Sequence, residues 1–332
     1  MKSVLLLVTL VLPGSVLAQD VNLDTFVRAE SDHMIRANMK MMGAEVGSFV
    51  HLREPVSPDN QPVIRMNQDT LYSGTVIDVS EPVQITLPEI GGRYQSMHVV
   101  NQDHFMFVKT LPGTYNLTKE EVGTQFALVT IRTFVDVNNP EDIAEAHAAQ
   151  DAISMAGGGA GPFEAPDWNL ERLAVIRKSL NDIAALGFET SNAFGTQEET
   201  RPIDHLVGAA SGWGGLPASA AYYVLDSVPA NDGQTPHKVT LHYVPVRAFW
   251  SVTVYNSNGY LEANELNRNS YNNVTAAQND DGSTTLHFGS CEDGRINCIP
   301  ITPGWNYAVR LYEPEPEVLN GDWAFPPIVP AS

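Results

Sequence analysis

Two stretches of the chain carry more chemistry than their surroundings. Met66-Asn67-Gln68-Asp69-Thr70-Leu71-Tyr72 sets an acid, an amide and a phenol in one short run. If extended, Asn67 and Asp69 share one face while Thr70 and Tyr72 share the other. Arg93-Tyr94-Gln95-Ser96-Met97-His98-Val99-Val100-Asn101-Gln102-Asp103-His104 is a second polar run. Alternation turns Arg93, Asn101 and Asp103 one way, and Tyr94, His98 and His104 the other. Polar side chains on the inner face of a sheet are costly unless they bond one another or a ligand. Two readings are open. In one, the cluster is a hydrogen-bonded network that fixes turns, with Asp69 bonding nearby amides and Arg93 paired with an acid. In the other, it is a site. There Asp103 and His104 transfer a proton, Arg93 and Tyr94 orient an anionic substrate, and Asn67, Asp69, Tyr72 and Asn101 complete the pocket.

A second group is aromatic. Phe249-Trp250-Ser251-Val252-Thr253-Val254-Tyr255-Asn256, Tyr271-Asn272-Asn273 and Trp305-Asn306-Tyr307 mix rings with amides. Such residues pack a core, or line a pocket for a sugar or small organic molecule with Trp250 and Trp305 as anchors. The sharper signatures are missing: no Gly-x-Ser-x-Gly elbow, no His-Glu-x-x-His, no P-loop and no Gly-x-Gly-x-x-Gly after a strand. His98 and His104 could meet on one face, but no third ligand accompanies them, so no metal and no cofactor is expected. His33, His51, His147 and His205 read as solvated or capping.

These residues must be positioned by 332 amino acids, enough for about two domains. Hydrophobic residues make up 43%, enough for a real core, and the formal net charge is −20. So acidic a chain repels phosphate backbones, which argues against a nucleic-acid partner. Lys2, the apolar run Val4–Leu12 and the small residues up to Ala18 read as an export signal cut before Gln19. The run is too short to span a bilayer. A periplasmic or secreted protein is therefore expected, and in that compartment Cys291 and Cys298 would close one short loop as a disulfide.

The pattern is β, then helical, then β. Residues 20–50 carry an imperfect helical stripe with Asn22 or Asp24 as cap. Val63 to Val137 reads as closely spaced strands, of which Val83–Leu87 and Phe126–Ile131 are the clearest. Asn139-Pro140-Glu141-Asp142 starts a helix running to about Met155. Gly157 to Gly161 reads as a flexible break. Further helices are expected at about Trp168–Leu186 and Ile203–Ala210. Strands return at Tyr222–Val228, Lys238–Val246, Phe249–Asn256, Thr284–Phe288 and Trp305–Tyr312. This is a mainly β, α+β chain of two antiparallel sandwich or jelly-roll-like modules joined by a helical segment. The expected divisions are a leader at 1–18, an N-terminal module at 19–138, the helical segment at 139–215 and a C-terminal module at 216–332.

Several longer stretches carry a resemblance. Ile64–Ser73, Gly92–Met97, Asn101–His104 and Leu128–Thr133 resemble the N-terminal module catalogued as DUF1254. Phe249–Asn256, Asn272–Thr275 and Pro303–Tyr307 resemble its companion DUF1214. The resemblance implies two β-rich modules with a helical insertion, commonly exported in bacteria, and no agreed set of catalytic residues. Two functions are carried forward. One is an enzyme acting on a small polar or anionic organic substrate through the Asp/His/Arg/Tyr cluster. The other is a non-catalytic ligand-binding or envelope protein using the aromatic-amide surface. The expected partner is a small molecule, and a homo-oligomer is compatible with either.

Overall fold

A computed structural model describes residues 18–61, 64–188 and 190–331; the expected leader up to Leu17 lies outside the described residues. Helix α1 (Leu23–Met42) opens the fold. Asn22 Oδ1 accepts from the amides of Asp24 and Thr25, and Gly43, at φ 65°, turns the chain out of the helix.

The first module stacks two sheets. Five strands run in the order β1 (Val50–Leu52), β2 (Thr70–Asp78), β7 (Phe126–Phe134), β4 (Gln95–Asn101), β5 (Met106–Lys109). Three more run β6 (Gly113–Leu117), β3 (Val83–Leu87), β8 (Ser154–Gly157). Alternation splits the larger sheet. Ile77, Met97, Val99, Ala127, Val129 and Ile131 form a dry core against Val83, Ile85 and Leu87. On the opposite face, Val76 and Leu128 pack under Ile35 of α1, while Tyr72, Arg132 and Ser96 lie side by side across three strands.

The C-terminal module repeats the plan. One sheet runs β12 (Ser270–Asn272), β11 (Trp250–Tyr255), β15 (Asn306–Tyr312), β9 (Ala221–Asp226). The other runs β14 (Cys298–Ile299), β13 (Thr284–Phe288), β10 (His237–Leu241), β16 (Val329–Pro330). Trp250, Val252, Val309, Leu311, Phe288 and Trp305 fill the space between them. Between the modules lie α3 (Pro140–Asp151), α4 (Leu170–Ala184) and α5 (Pro202–Ser211); α2 (Lys119–Val122) and α6 (Pro316–Leu319) are single turns. The α+β class with sandwich-like modules is as the pattern predicts. Among the described residues no helix is long and apolar enough to cross a membrane. Cys291 and Cys298 are joined as a disulfide.

Two local expectations change. The helix begun at Pro140 stops at Asp151, because Ser154–Gly157 instead extends along β3 as an edge strand. Gly157 and its followers are no free hinge. At φ 80° Gly157 lies so close to Pro82 that an added Cβ would come within 2.4 Å of the Pro82 carbonyl oxygen.

Candidate functional site

The polar residues read from the sequence divide into three places. Arg93 is largely buried against α3: its Nη2 donates to Asp142 Oδ1 at 2.7 Å and Glu145 Oε2 at 2.8 Å, and its Nη1 donates to the Phe134 carbonyl. Its charge is fully answered, and it borders a cleft of about 530 Å³ shared with Tyr94 and Phe249.

Asp103 and His104 lie in a tight turn after β4 that Asn101 builds. Asn101 Oδ1 accepts from the amides of Asp103 and Phe105, and its amide nitrogen donates to the Val122 carbonyl. Asp103 accepts from Arg28 Nε at 2.8 Å. His104 is fully buried at φ 62°, with Nε2 accepting from the Gly214 amide and its ring beside Trp213. Burial, with help from His205, holds its pKa down at about 3, so it is neutral. His205, expected at the surface, is buried and stacks on Phe105. The structure therefore does not gather Arg93, Asp103 and His104 into one pocket. Each is held by partners of its own.

The third place is the junction of the modules. Residues 66–69 are not extended, because Asn67 Oδ1 accepts from the Asp69 amide and closes a turn before β2. Asn67 Nδ2 also donates to the Tyr312 hydroxyl at 2.9 Å, while Asp69 Oδ1 accepts from Ser270 and Asn272. Arg310 donates to Tyr255, Thr253 and the Arg65 carbonyl. Trp250 and Trp305 belong to the core instead, at 6% and 0% exposure, so they anchor no surface. Burial explains the change: both rings face the second sheet of their own module.

At this junction the polar face of β2, β7 and β4 meets that of β11, β15 and β9. Across the first run Tyr72, Arg132 and Ser96; across the second run Asn272, Ser251, Arg310 and Tyr223. Arg132 sits 5.6 Å from the centre of the Tyr72 ring, and its charge reaches Tyr72, Tyr223, Tyr312 and Tyr94. Among the described residues, neither the Arg132 guanidinium nor the Tyr72 and Tyr223 hydroxyls have a hydrogen-bond partner, and no carboxylate pairs with Arg132. Ser96 Oγ, His98 Nε2, Ser251 Oγ and Asp69 Oδ2 are buried without one as well. The Tyr94 hydroxyl lies near Ser96 without a well-formed bond.

Burial raises the phenol pKa of Tyr94, Tyr223 and Tyr312, and lowers that of His98 with added repulsion from Arg132. Yet Tyr223 keeps 42% of its surface accessible. Tyr223, on the edge strand β9, stands at the open side of the junction. Aromatic rings close one flank: Phe249 stacks on Tyr312 at 4.2 Å, and Tyr94 meets both.

Arg132, Ser96, Tyr223, Arg310 and Tyr312 were not singled out as site residues from sequence. The available signal was an arginine inside an otherwise buried strand, present in both Phe126–Phe134 and Asn306–Tyr312. His98 and His104 are near enough to affect each other's charge, but among the described residues no three metal-ligating side chains gather.

The fold and this junction define a two-module β protein whose polar sheet faces, each carrying a central arginine, meet at the junction of the modules. Residues 46–157 match the family described as protein of unknown function DUF1254, and residues 222–316 match the one described as protein of unknown function DUF1214. The chain belongs to this DUF1254/DUF1214 family. A comparison with curated proteins returned no match. Among solved structures, the VPA0106 protein of Vibrio parahaemolyticus shares the fold at TM-score 0.70 and 17% identity, covering 94% of this chain and all 100% of its own. An uncharacterized protein of Burkholderia cenocepacia aligns at TM-score 0.48 and 12% identity, covering 92% of this chain and 86% of its own.

Proposed function

We propose that the protein binds a small organic anion at the junction of its modules, with Arg132 as the fixed counter-charge. The observation that carries this reading is a partly buried guanidinium with no acceptor, in a chain with an excess of acids elsewhere. Such a charge is costly to keep, and an anion answers it with bidentate geometry. Binding is favoured over acid–base catalysis because burial has moved His98 and the phenols of Tyr94, Tyr223 and Tyr312 away from neutral pH. At pH 7 these groups are neutral dipoles around a cation, suited to holding charge and poorly suited to exchanging protons. Asp103 and His104, with partners of their own, are positioned to shape the turn after β4.

Thermal shift and calorimetric titration with propionate, phosphate and the uncharged propionamide test the reading. A ligand at a hundred times its Kd stabilises by about 2.7 kcal/mol. Stabilisation by an anion, absent with propionamide and lost in Arg132→Met, is the expected result. Equal effects of acid and amide, or a response that survives Arg132→Met, would overturn it.

Export belongs to the same proposal. It is supported by the N-terminal basic, apolar and small-residue order together with a disulfide, which persists in oxidising compartments. An intact mass beginning at Gln19 is expected; a mass retaining the leader in the mature protein would refute it.

A further inference from the structure

We infer that the cleft bordered by Arg93 is a second, separate binding site, and that it takes a primary ammonium ion carried on a short aliphatic body. The inference stands apart from the anion reading, because it uses other residues and the opposite charge.

The cleft encloses about 530 Å³, within the range of small-molecule sites. Both modules build it. The β3–β4 loop, the β5–β6 turn and the acids of α3 meet Arg247, Val274 and Glu313 of the C-terminal module. Its ionic lining is unbalanced. Four carboxylates, Glu89, Asp142, Glu145 and Glu313, stand with two guanidiniums, Arg93 and Arg247, an excess of two negative charges. Both guanidiniums are already answered: Asp142 and Glu145 hold Arg93, and Glu313 faces Arg247 Nε at 3.7 Å. Burial would raise the Asp142 carboxyl, yet bonds from Arg93 and the Asp136 amide hold it below its ordinary value, so it stays ionised. Glu89 is exposed and has no ion-pair partner among the described residues. A cation fits such a lining and a second anion does not.

An acidic lining alone would draw any cation, and Gln95 narrows the choice. It lines the cleft at 4% exposure, its amide fixed by the bond from Nε2 to Thr133 Oγ1 at 2.9 Å. Its Oε1 is left buried with no donor among the described residues. A buried carbonyl oxygen without a donor is costly, and an N–H brought by a ligand removes the cost. A primary ammonium offers several such donors and a quaternary one offers none. The cation is organic, because among the described residues no three metal-ligating side chains gather. Its body meets apolar surface. Leu111, from the first module, and Val274, from the second, are both largely exposed at this cleft, and Ile90 is partly open beside them. Covering these side chains with a few methylene groups is favourable.

Calorimetric titration of the full chain at low salt with butylamine, butyltrimethylammonium, ammonium ion and butyrate tests the assignment. Butylamine is expected to saturate. Butyltrimethylammonium, with no N–H for Gln95 Oε1, should bind about tenfold more weakly. Ammonium ion, with no body, should be weaker by several-fold, and butyrate should not displace butylamine. Glu89→Gln should weaken butylamine about threefold. Leu111→Ser should weaken it to a similar extent and leave ammonium ion unchanged. Both residues are exposed, so both variants are expected to fold, and melting curves check this; the comparison of ligands on the native chain holds whatever the variants do. Arg132→Met should bind butylamine as the parent does, which separates the two sites. Equal affinity for butylamine and its trimethylated form overturns the inference, because charge attraction alone would then account for binding. Displacement by butyrate, or loss of butylamine binding in Arg132→Met, places the amine at the junction and overturns it too. No saturation by butylamine overturns it while leaving the anion reading standing.

Discussion

Replacing Arg132 by methionine should make the ligand-free protein more stable. The guanidinium is partly buried, its Nη1 has no acceptor among the described residues, and no carboxylate pairs with it. Exchanging a buried ionic group for an apolar side chain of similar volume often stabilises by about 1–4 kcal/mol. The substitution also loses the contact with the Tyr72 ring, whose centre lies 5.6 Å away, which gives back about 0.5–2 kcal/mol. A net gain of about 1–2 kcal/mol remains, or a rise in Tm of about 1.5–3 °C for a chain of this length. Scanning calorimetry without added anions, paired with urea unfolding at unchanged m-value, reads the effect directly. Arg132→Lys is the control, since it keeps a charge at the junction and should show no such gain. A binding group that costs stability is the expected signature of a functional charge. A fall of several degrees in Arg132→Met would mean that the fold depends on this guanidinium, and the reasoning that leads from an unanswered charge to a ligand would fail.

Arg93 should behave in the opposite way. Its guanidinium is gripped by Asp142 and Glu145, so Arg93→Met is expected to cost about 2–4 kcal/mol in urea unfolding while leaving anion affinity unchanged; a loss of affinity equal to that of Arg132→Met would restore it as a ligand contact. The pH dependence follows from His98 and His104, which burial keeps neutral in the fold, His104 down to about 3. The unfolded chain protonates both near the ordinary value of 6.5. Their contribution is therefore whole above about pH 7 and is lost as pH falls below it, by up to about 1.4 kcal/mol per pH unit for each. Urea midpoints between pH 7 and 5 should show this slope, and His104→Asn, whose side chain tolerates φ 62°, should reduce it by one proton. An unchanged slope in that variant would mean that His104 is already charged in the folded protein.

The architecture was legible because its signals are local. Strict alternation in Val83–Leu87, the Asn139-Pro140 helix start and the apolar run at Phe126–Ile131 each specify an element without reference to a partner. The disulfide was legible for the same reason, as two cysteines seven residues apart. The site was legible only in part. Tyr94 and His98 were placed on one face, and that face does carry Ser96 and its neighbour Arg132 at the junction. What stayed hidden was pairing. That Ser96 stands opposite Arg132, and Arg132 opposite Tyr72, depends on strand register between segments far apart in sequence. Arg93 misled because its type promised an anion, and α3, which answers it, begins more than forty residues later. Trp250 misled because a tryptophan among amides reads equally well as pocket or core, and only the second sheet of its module decides between them.

On the proposed reading, an anion accounts for the polar face that each module keeps at the junction. Each has its own dry core, between β3 and the β4–β7 pair in one and between β10–β13 and β11–β15 in the other. Had the modules evolved only to adhere, apolar faces would bury with less penalty than Tyr72, Arg132, Ser96, Ser251 and Arg310 do. The junction is fastened by directed bonds, Asn67 to Tyr312, Asp69 to Ser270 and Asn272, Arg65 to Asn306 and Arg310 to the Arg65 backbone, beside an apolar cluster in which Phe134 and Tyr94 pack with Phe249 and Tyr312. These bonds fix the register of one module on the other. Arg132 comes from one module and Tyr223 from the other, so neither module alone forms the donor set. Separating them would expose Arg132 to water and remove the low-dielectric surroundings that make its charge effective at gripping an anion.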